Sequence, residues 1–204
     1  MDKLKEYFDI AKNKNSDMFP YIPILCKFAQ ESCHITEMGI GPVQYELNST
    51  WGLLYGLSLS SCASKTYIAY DIIDENYHIL NAKEVATSEG IDLEFILANT
   101  IEIEIKNTDL LFIDTDHRYQ HLTKELTLHS PKVSKFIILH DTSGKYENWE
   151  DWPYDHEFRG ELKNYPEKYG MWPAVIDFLN DNKDWKLHQR FIEGNGLTIL
   201  SRKT

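Results

Sequence analysis

Short apolar runs alternate with longer amphipathic ones along the chain, the pattern of βαβ units around a parallel sheet. The opening segment to about Ser32 reads as helical, with Leu4, Tyr7, Phe8 and Ile10 on one face. Cys33 to Met38 reads as a first strand that stops at Gly39-Ile40-Gly41-Pro42. Asn48 to Leu59 is expected to be a helix, with Asn48 or Ser49 as its N-cap. Further strands are expected at Thr66 to Tyr70, Leu93 to Leu97, Asp109 to Ile113 and Lys135 to Leu139. Helices are expected at Glu75 to Ser88, His117 to Leu128 and Met171 to Asn180. Near the C-terminus, Trp185 to Ile192 and Leu197 to Arg202 flank Glu193-Gly194-Asn195-Gly196, and Asn-Gly between two strand-like runs signals a hairpin. The expectation is one α/β domain whose parallel sheet ends in an antiparallel hairpin.

Charge narrows the function classes. Lys and Arg number 21 against 32 Asp and Glu, a net charge of −11. That balance argues against binding nucleic acid, which needs a basic stripe to displace counterions from phosphates, and equally against an anionic membrane surface. Hydrophobic residues at 42% over 204 positions allow a core large enough for an enzyme. Cys26, Cys33 and Cys62 are odd in number and lack C-x-x-C spacing, so neither a disulfide framework nor a zinc knuckle is expected. The first residues contain no apolar signal region, and no apolar run reaches the roughly 18 residues of a membrane helix. The expectation is a reduced, cytoplasmic protein acting on a small molecule, with homo-oligomer formation left open.

In open α/β sheets, ligands bind beyond the carboxyl ends of the strands. Four such ends carry glycine or polar residues here: Glu37-Met38-Gly39, Asp71, Asp114 and His140-Asp141. Acids at several consecutive ends repel one another unless a cation or hydrogen-bond donors compensate. Gly39-x-Gly41 allows close backbone approach to a ligand, although the third glycine of a dinucleotide fingerprint is replaced by Gln44. Asp71 is placed either to accept ribose hydroxyls or to act as a solvated capping residue. Asp114-Thr115-Asp116-His117 is the densest polar cluster. Asp114 and Asp141, at neighbouring strand ends, suit Mg²⁺ or a similar hard cation. His117 is a candidate proton acceptor for a substrate hydroxyl, and Asp116 is read as the helix cap. His117 and His121 stand four apart, as a zinc pair would, without a third ligand at suitable spacing.

The succession ITEMGIG, YIAYD, DLLFIDTDHRYQ, FIILHDT and GMWPAVIDFL resembles class I S-adenosylmethionine-dependent methyltransferases. It looks most like the branch holding macrocin-type sugar O-methyltransferases and cephalosporin-hydroxylase-like proteins. The resemblance runs from about Ile35 to the end. It implies a Rossmann-like three-layer sandwich with a mostly parallel seven-stranded sheet. It implies that Glu37, Gly39 and Gly41 hold the methionine end of S-adenosylmethionine, Asp71 its ribose and Asn99 the adenine region, with Asp114 also at the cofactor. It further implies a metal set of Asp114 and Asp141, with His140 where some relatives carry an acid, and His117 as general base. Pro42 is a second departure.

Residues 142–170 are expected to form a substrate-covering insertion. Tyr146, Trp149, Trp152, Tyr154, Phe158, Tyr165, Tyr169 and Trp172 are dense around it, and aromatic faces suit sugar or planar rings. They equally suit stapling a long loop to the body. The leading expectation is O-methylation of a hydroxyl on a sugar or glycosylated metabolite. The alternatives are a cephalosporin-hydroxylase-like tailoring oxidoreductase and a non-catalytic nucleoside-binding module.

Overall fold

The computed structural model describes residues 2–41, 47–73, 78–148 and 170–203. Its strands are β1 (His34–Met38), β2 (Lys65–Asp71), β3 (Ile91–Leu97), β4 (Thr108–Ile113), β5 (Val133–His140), β6 (Trp185–Phe191) and β7 (Leu197–Arg202). Its helices are α1 (Asp2–Ala11), α2 (Ile22–Gln30), α3 (Asn48–Leu59), α4 (His78–Ser88), α5 (Tyr119–His129) and α6 (Met171–Asp181). The seven strands form one sheet in the order β3-β2-β1-β4-β5-β7-β6. The first five pair in parallel, and β7 lies antiparallel to both β5 and β6. The expected sheet and hairpin are therefore present, and the order reverses between β1 and β4.

Strand periodicity builds two cores. Ile35, Tyr67, Ala69, Leu110, Phe112 and Ile138 face one layer, packed with α1, α2 and α3. Met38, Ile68, Tyr70, Leu111, Ile113, Ile137 and Leu139 face the other, against α5 and α6. Successive side chains point to opposite faces of a strand, so apolar runs such as DLLFI read as strands buried on both sides.

Several local expectations are corrected. The opening segment is two helices separated by residues 12–21, because Pro20 and Pro23 open new turns. Leu4 and Phe8 are buried, but Ile10 is exposed, since six positions is not a same-face spacing on a helix. The residue before α3 is Leu47, in the left-handed region at φ 54°, so neither Asn48 nor Ser49 is the N-cap. Helix α5 begins at Tyr119, leaving His117 in the preceding loop, and Asp116 does not cap it: its carboxylate is held by Arg118 Nε at 2.7 and 2.8 Å. The expectation of no disulfide is also overturned, because Cys33 and Cys62 are joined, with Cα atoms 5.6 Å apart, while Cys26 is free and buried. The sequence separation of 29 hid that pairing from any spacing argument.

Pro42, Gln44, the first residues expected for the 75–88 helix and the aromatics from Trp149 to Tyr169 lie outside the described residues. No helix among the described residues is long and apolar enough to cross a membrane.

Candidate active site

The strand tips are joined by their own backbone. Gly39 N donates to Tyr70 O at 2.9 Å, Asp114 N to Met38 O at 2.8 Å and Ala98 N to Asp71 O at 2.9 Å. Gly39 has φ +80°, and a methyl there would run into the backbone carbonyl of Asp114. Glycine at this position therefore lets the β1 and β4 exits meet.

Around these tips lies a cavity of about 640 Å³, lined in part by Gly39, Gly41, Asp71, Asn99, Asp114 and His117. A second cavity, of about 540 Å³, shares Gly39, Gly41, Asp114, Thr115 and His117, and continues along Lys14–Met18, His140, Asp141 and Tyr146. Gly39, Gly41, Asp71, Asn99, Asp114, His117, His140 and Asp141 are thus brought to two adjoining hollows at the carboxyl edge of the sheet, on either side of the β1/β4 switch.

Glu37 is not on either wall. Strand parity places it on the α3 face with Ile35, where it is fully buried. Ser49 Oγ (2.7 Å), Thr50 Oγ1 (2.6 Å) and Tyr67 Oη (2.5 Å) all donate to its carboxylate. Burial pushes the Glu37 carboxyl up to about 7 against the pull of these donors. Its observed contacts tie β1 and β2 to the first turn of α3.

Asp71 is buried and held by backbone. Its Oδ2 accepts from Ile40 N (2.9 Å) and Gly41 N (3.2 Å), and its Oδ1 accepts from Ile73 N (2.9 Å). Asp71 also lines the larger cavity, so it both shapes the glycine turn and borders that hollow. Asn99 uses its amide locally, accepting from Ile101 N and donating to Glu102 at 3.0 Å.

At the β4 and β5 exits the arrangement differs. His117 Nε2 lies 2.5 Å from Asp141 Oδ2 and 3.7 Å from Asp114 Oδ1. His140 Nδ1 lies 3.3 Å from Asp114 Oδ2 and 3.5 Å from Asp141 Oδ1. These approaches are close in distance but not in direction: His117 Nε2, both His140 ring nitrogens and Asp141 Oδ1 are buried without a hydrogen-bond partner. Asp141 itself has φ +56°, a left-handed conformation that a non-glycine residue adopts at some cost. Burial alone would lower the histidine pKa values, but the neighbouring carboxylates override it. His117 is raised to about 10 and His140 to about 9, while the Asp114 carboxyl is held well below the usual range by the His140 and His117 charges. The hard oxygens of Asp114 and Asp141 beside the unpartnered buried imidazole of His140 fit a divalent cation, whose charge would also favour a neutral His117.

Sequence reasoning missed a support behind the larger cavity. Glu125, fully buried on α5, accepts from Thr115 Oγ1 at 2.9 Å and Thr100 Oγ1 at 2.5 Å, and lies 3.2 Å from His121 Nε2. His121 therefore turns to Glu125 rather than forming a pair with His117. The signal was available: Leu122, Glu125, Leu126 and His129 share one helical stripe, so an acid within it is buried and needs donors. Tyr146 was named among the aromatics, and it stacks on His117 with ring centroids 4.2 Å apart.

No protein-family profile and no curated protein matches the chain. Solved structures do. One is a SAH-bound (S-adenosylhomocysteine-bound) methyltransferase from Podospora anserina, 14% identical, matching 100% of this chain and 89% of its own with a TM-score of 0.55. Another is an O-methyltransferase from Bacillus cereus in complex with SAH, 13% identical over 100% of this chain and 91% of its own, TM-score 0.53. A third is magnesium protoporphyrin IX methyltransferase from Synechocystis with bound SAH, 10% identical over 98% and 94%, TM-score 0.58. At these identities the likeness speaks for architecture, and the chain has the Rossmann-like, seven-stranded methyltransferase fold.

Proposed function

We propose that the protein is an S-adenosylmethionine-dependent O-methyltransferase acting on a hydroxyl of a small molecule, a sugar or glycosylated metabolite being the favoured class. The observation that carries the reading is the junction of two cavities at Gly39, Asp114 and His117, one backed by Asp71 and Asn99, the other by Asp141 and Tyr146. The larger hollow suits a nucleoside, with Asp71 toward ribose hydroxyls and Asn99 toward the base. The smaller suits an acceptor. Asp114, Asp141 and His140 would hold a divalent cation such as Mg²⁺, which would supply a Lewis acid to lower the pKa of an acceptor hydroxyl.

The methyl moves from the sulfonium to the acceptor oxygen; the sulfur keeps the electron pair of the broken bond and becomes a thioether. His117 Nε2 takes the hydroxyl proton, a role that requires the imidazole to be neutral. Alone with Asp114 and Asp141 it holds its proton to about pH 10. Turnover is therefore expected to rise with pH, and the rise to move to lower pH as cation is added. Placing the two substrates at one junction provides the alignment that a sulfonium transfer chiefly needs.

Calorimetric titration with S-adenosylhomocysteine tests the reading. Saturable binding, weakened sharply in Asp71→Ala, is expected. No detectable heat with either S-adenosylmethionine or its product would remove the proposal.

A further inference from the structure

Residues 12–21, between α1 and α2, stand apart from the strand tips in sequence but not in space. Lys14–Met18 line the smaller cavity together with His117 and Asp141. The segment is fastened there by two contacts with the turn between β6 and β7: Asn195 Nδ2 donates to Asp17 Oδ2 at 2.8 Å, and Tyr21 Oη donates to Glu193 O. The same turn holds the β5 exit, since Ser143 N donates to Asn195 O at 2.8 Å. Three distant pieces of chain thus meet beside Asp141.

At that meeting point, Asp17, His140 and Asp141 present ligand atoms that all lie within 4.8 Å of one another. Among them His140 is the unsatisfied group: its side chain is 3% exposed and its two ring nitrogens have no hydrogen-bond partner. A buried imidazole in that state is costly unless something binds it.

We propose that Asp17 is a further ligand of the cation site, so that the segment between α1 and α2 closes over a divalent ion held by Asp114, His140 and Asp141. The inference rests on the metal-bearing reading of the site given above. It adds a carboxylate that is not on the sheet. Ion binding then fixes one wall of the acceptor cavity, because Asp17 lies in the stretch that lines it. The mixed nitrogen and oxygen donor set suits Mn²⁺ at least as well as Mg²⁺.

The test uses the full-length protein and Mn²⁺ alone, its affinity measured by calorimetry and by the electron paramagnetic resonance signal of the free ion. Asp17→Asn keeps an oxygen for the Asn195 amide while removing the charge. The Mn²⁺ affinity should fall at least roughly tenfold, since losing even a partner behind a ligand typically costs about ten- to hundredfold. Asp9→Asn, at a half-buried acid on α1 paired with Lys5 and Lys12, should leave it unchanged. Hydrogen exchange across residues 14–18 should slow on adding Mn²⁺ to the wild type and not to Asp17→Asn. Equal affinity in the wild type and Asp17→Asn overturns the proposal while leaving the Asp114–Asp141 site intact. No Mn²⁺ binding in the wild type overturns it together with the metal-bearing reading, and the S-adenosylhomocysteine titration then decides the methyltransferase reading separately.

Discussion

The tip of β2 and the tips of β4 and β5 all carry buried or half-buried carboxylates, but they are stabilised in opposite ways. Asp71 is satisfied by three backbone N–H groups from its own surroundings. Asp114 and Asp141 face two imidazoles whose geometry leaves Nε2 of His117, both nitrogens of His140 and Oδ1 of Asp141 without hydrogen bonds. The first arrangement is complete without a ligand and sets the shape of the glycine turn. The second is complete only with protons or a cation in place, which is the state expected of groups that exchange them in a reaction. Under the proposed function, the contrast separates a carboxylate that frames the cavity from those proposed to take part in the chemistry.

The largest expected effect falls on the chemical side. His117→Gln should lower kcat roughly 10²–10⁴-fold, the usual worth of a positioned base, with little change in S-adenosylhomocysteine affinity. A matching loss of affinity would erase the distinction between the two tips. Glu37 comes next, because its folded-state pKa of about 7 lies above the ordinary carboxylate value of 4.5. The folded protein keeps a proton that the unfolded chain has released, so stability is full below about pH 4.5 and declines as pH rises to about 7. The decline is on the order of 3 kcal/mol. Urea unfolding at a series of pH values should show this slope in the wild type and lose it in Glu37→Gln; an unchanged slope in the variant assigns it to other groups. The smallest effect tests the framing side. Asp71→Asn should cost about 1–3 kcal/mol of stability, since three backbone donors lose a charged acceptor. Its kcat at saturating S-adenosylmethionine should stay far closer to the wild type than that of His117→Gln.

Most of the sheet was legible because buried parallel strands such as DLLFI and FIILH write their length and period directly into the sequence, and Asn195-Gly196 marks the hairpin. The clustering of Asp71, Asp114, His140 and Asp141 followed from strand ends alone. What escaped depended on parity or on contacts across the chain. Glu37 sits within a matching motif, yet strand alternation turns it toward α3. His117 follows Asp114 at a helical spacing but belongs to a loop, because Arg118 is bound to Asp116 and helical geometry starts only at Tyr119. The Cys33–Cys62 link and the approach of Asp17 to His140 join segments that no local pattern connects.

A crystal structure of the protein with S-adenosylhomocysteine tests the central claim most directly. The account predicts the ribose hydroxyls at Asp71, the base beside Asn99, and the sulfur at the junction of Gly39, Asp114 and His117, open toward the cavity of Asp141 and Tyr146. A nucleoside bound anywhere else, or a sulfur turned away from His117, would contradict it.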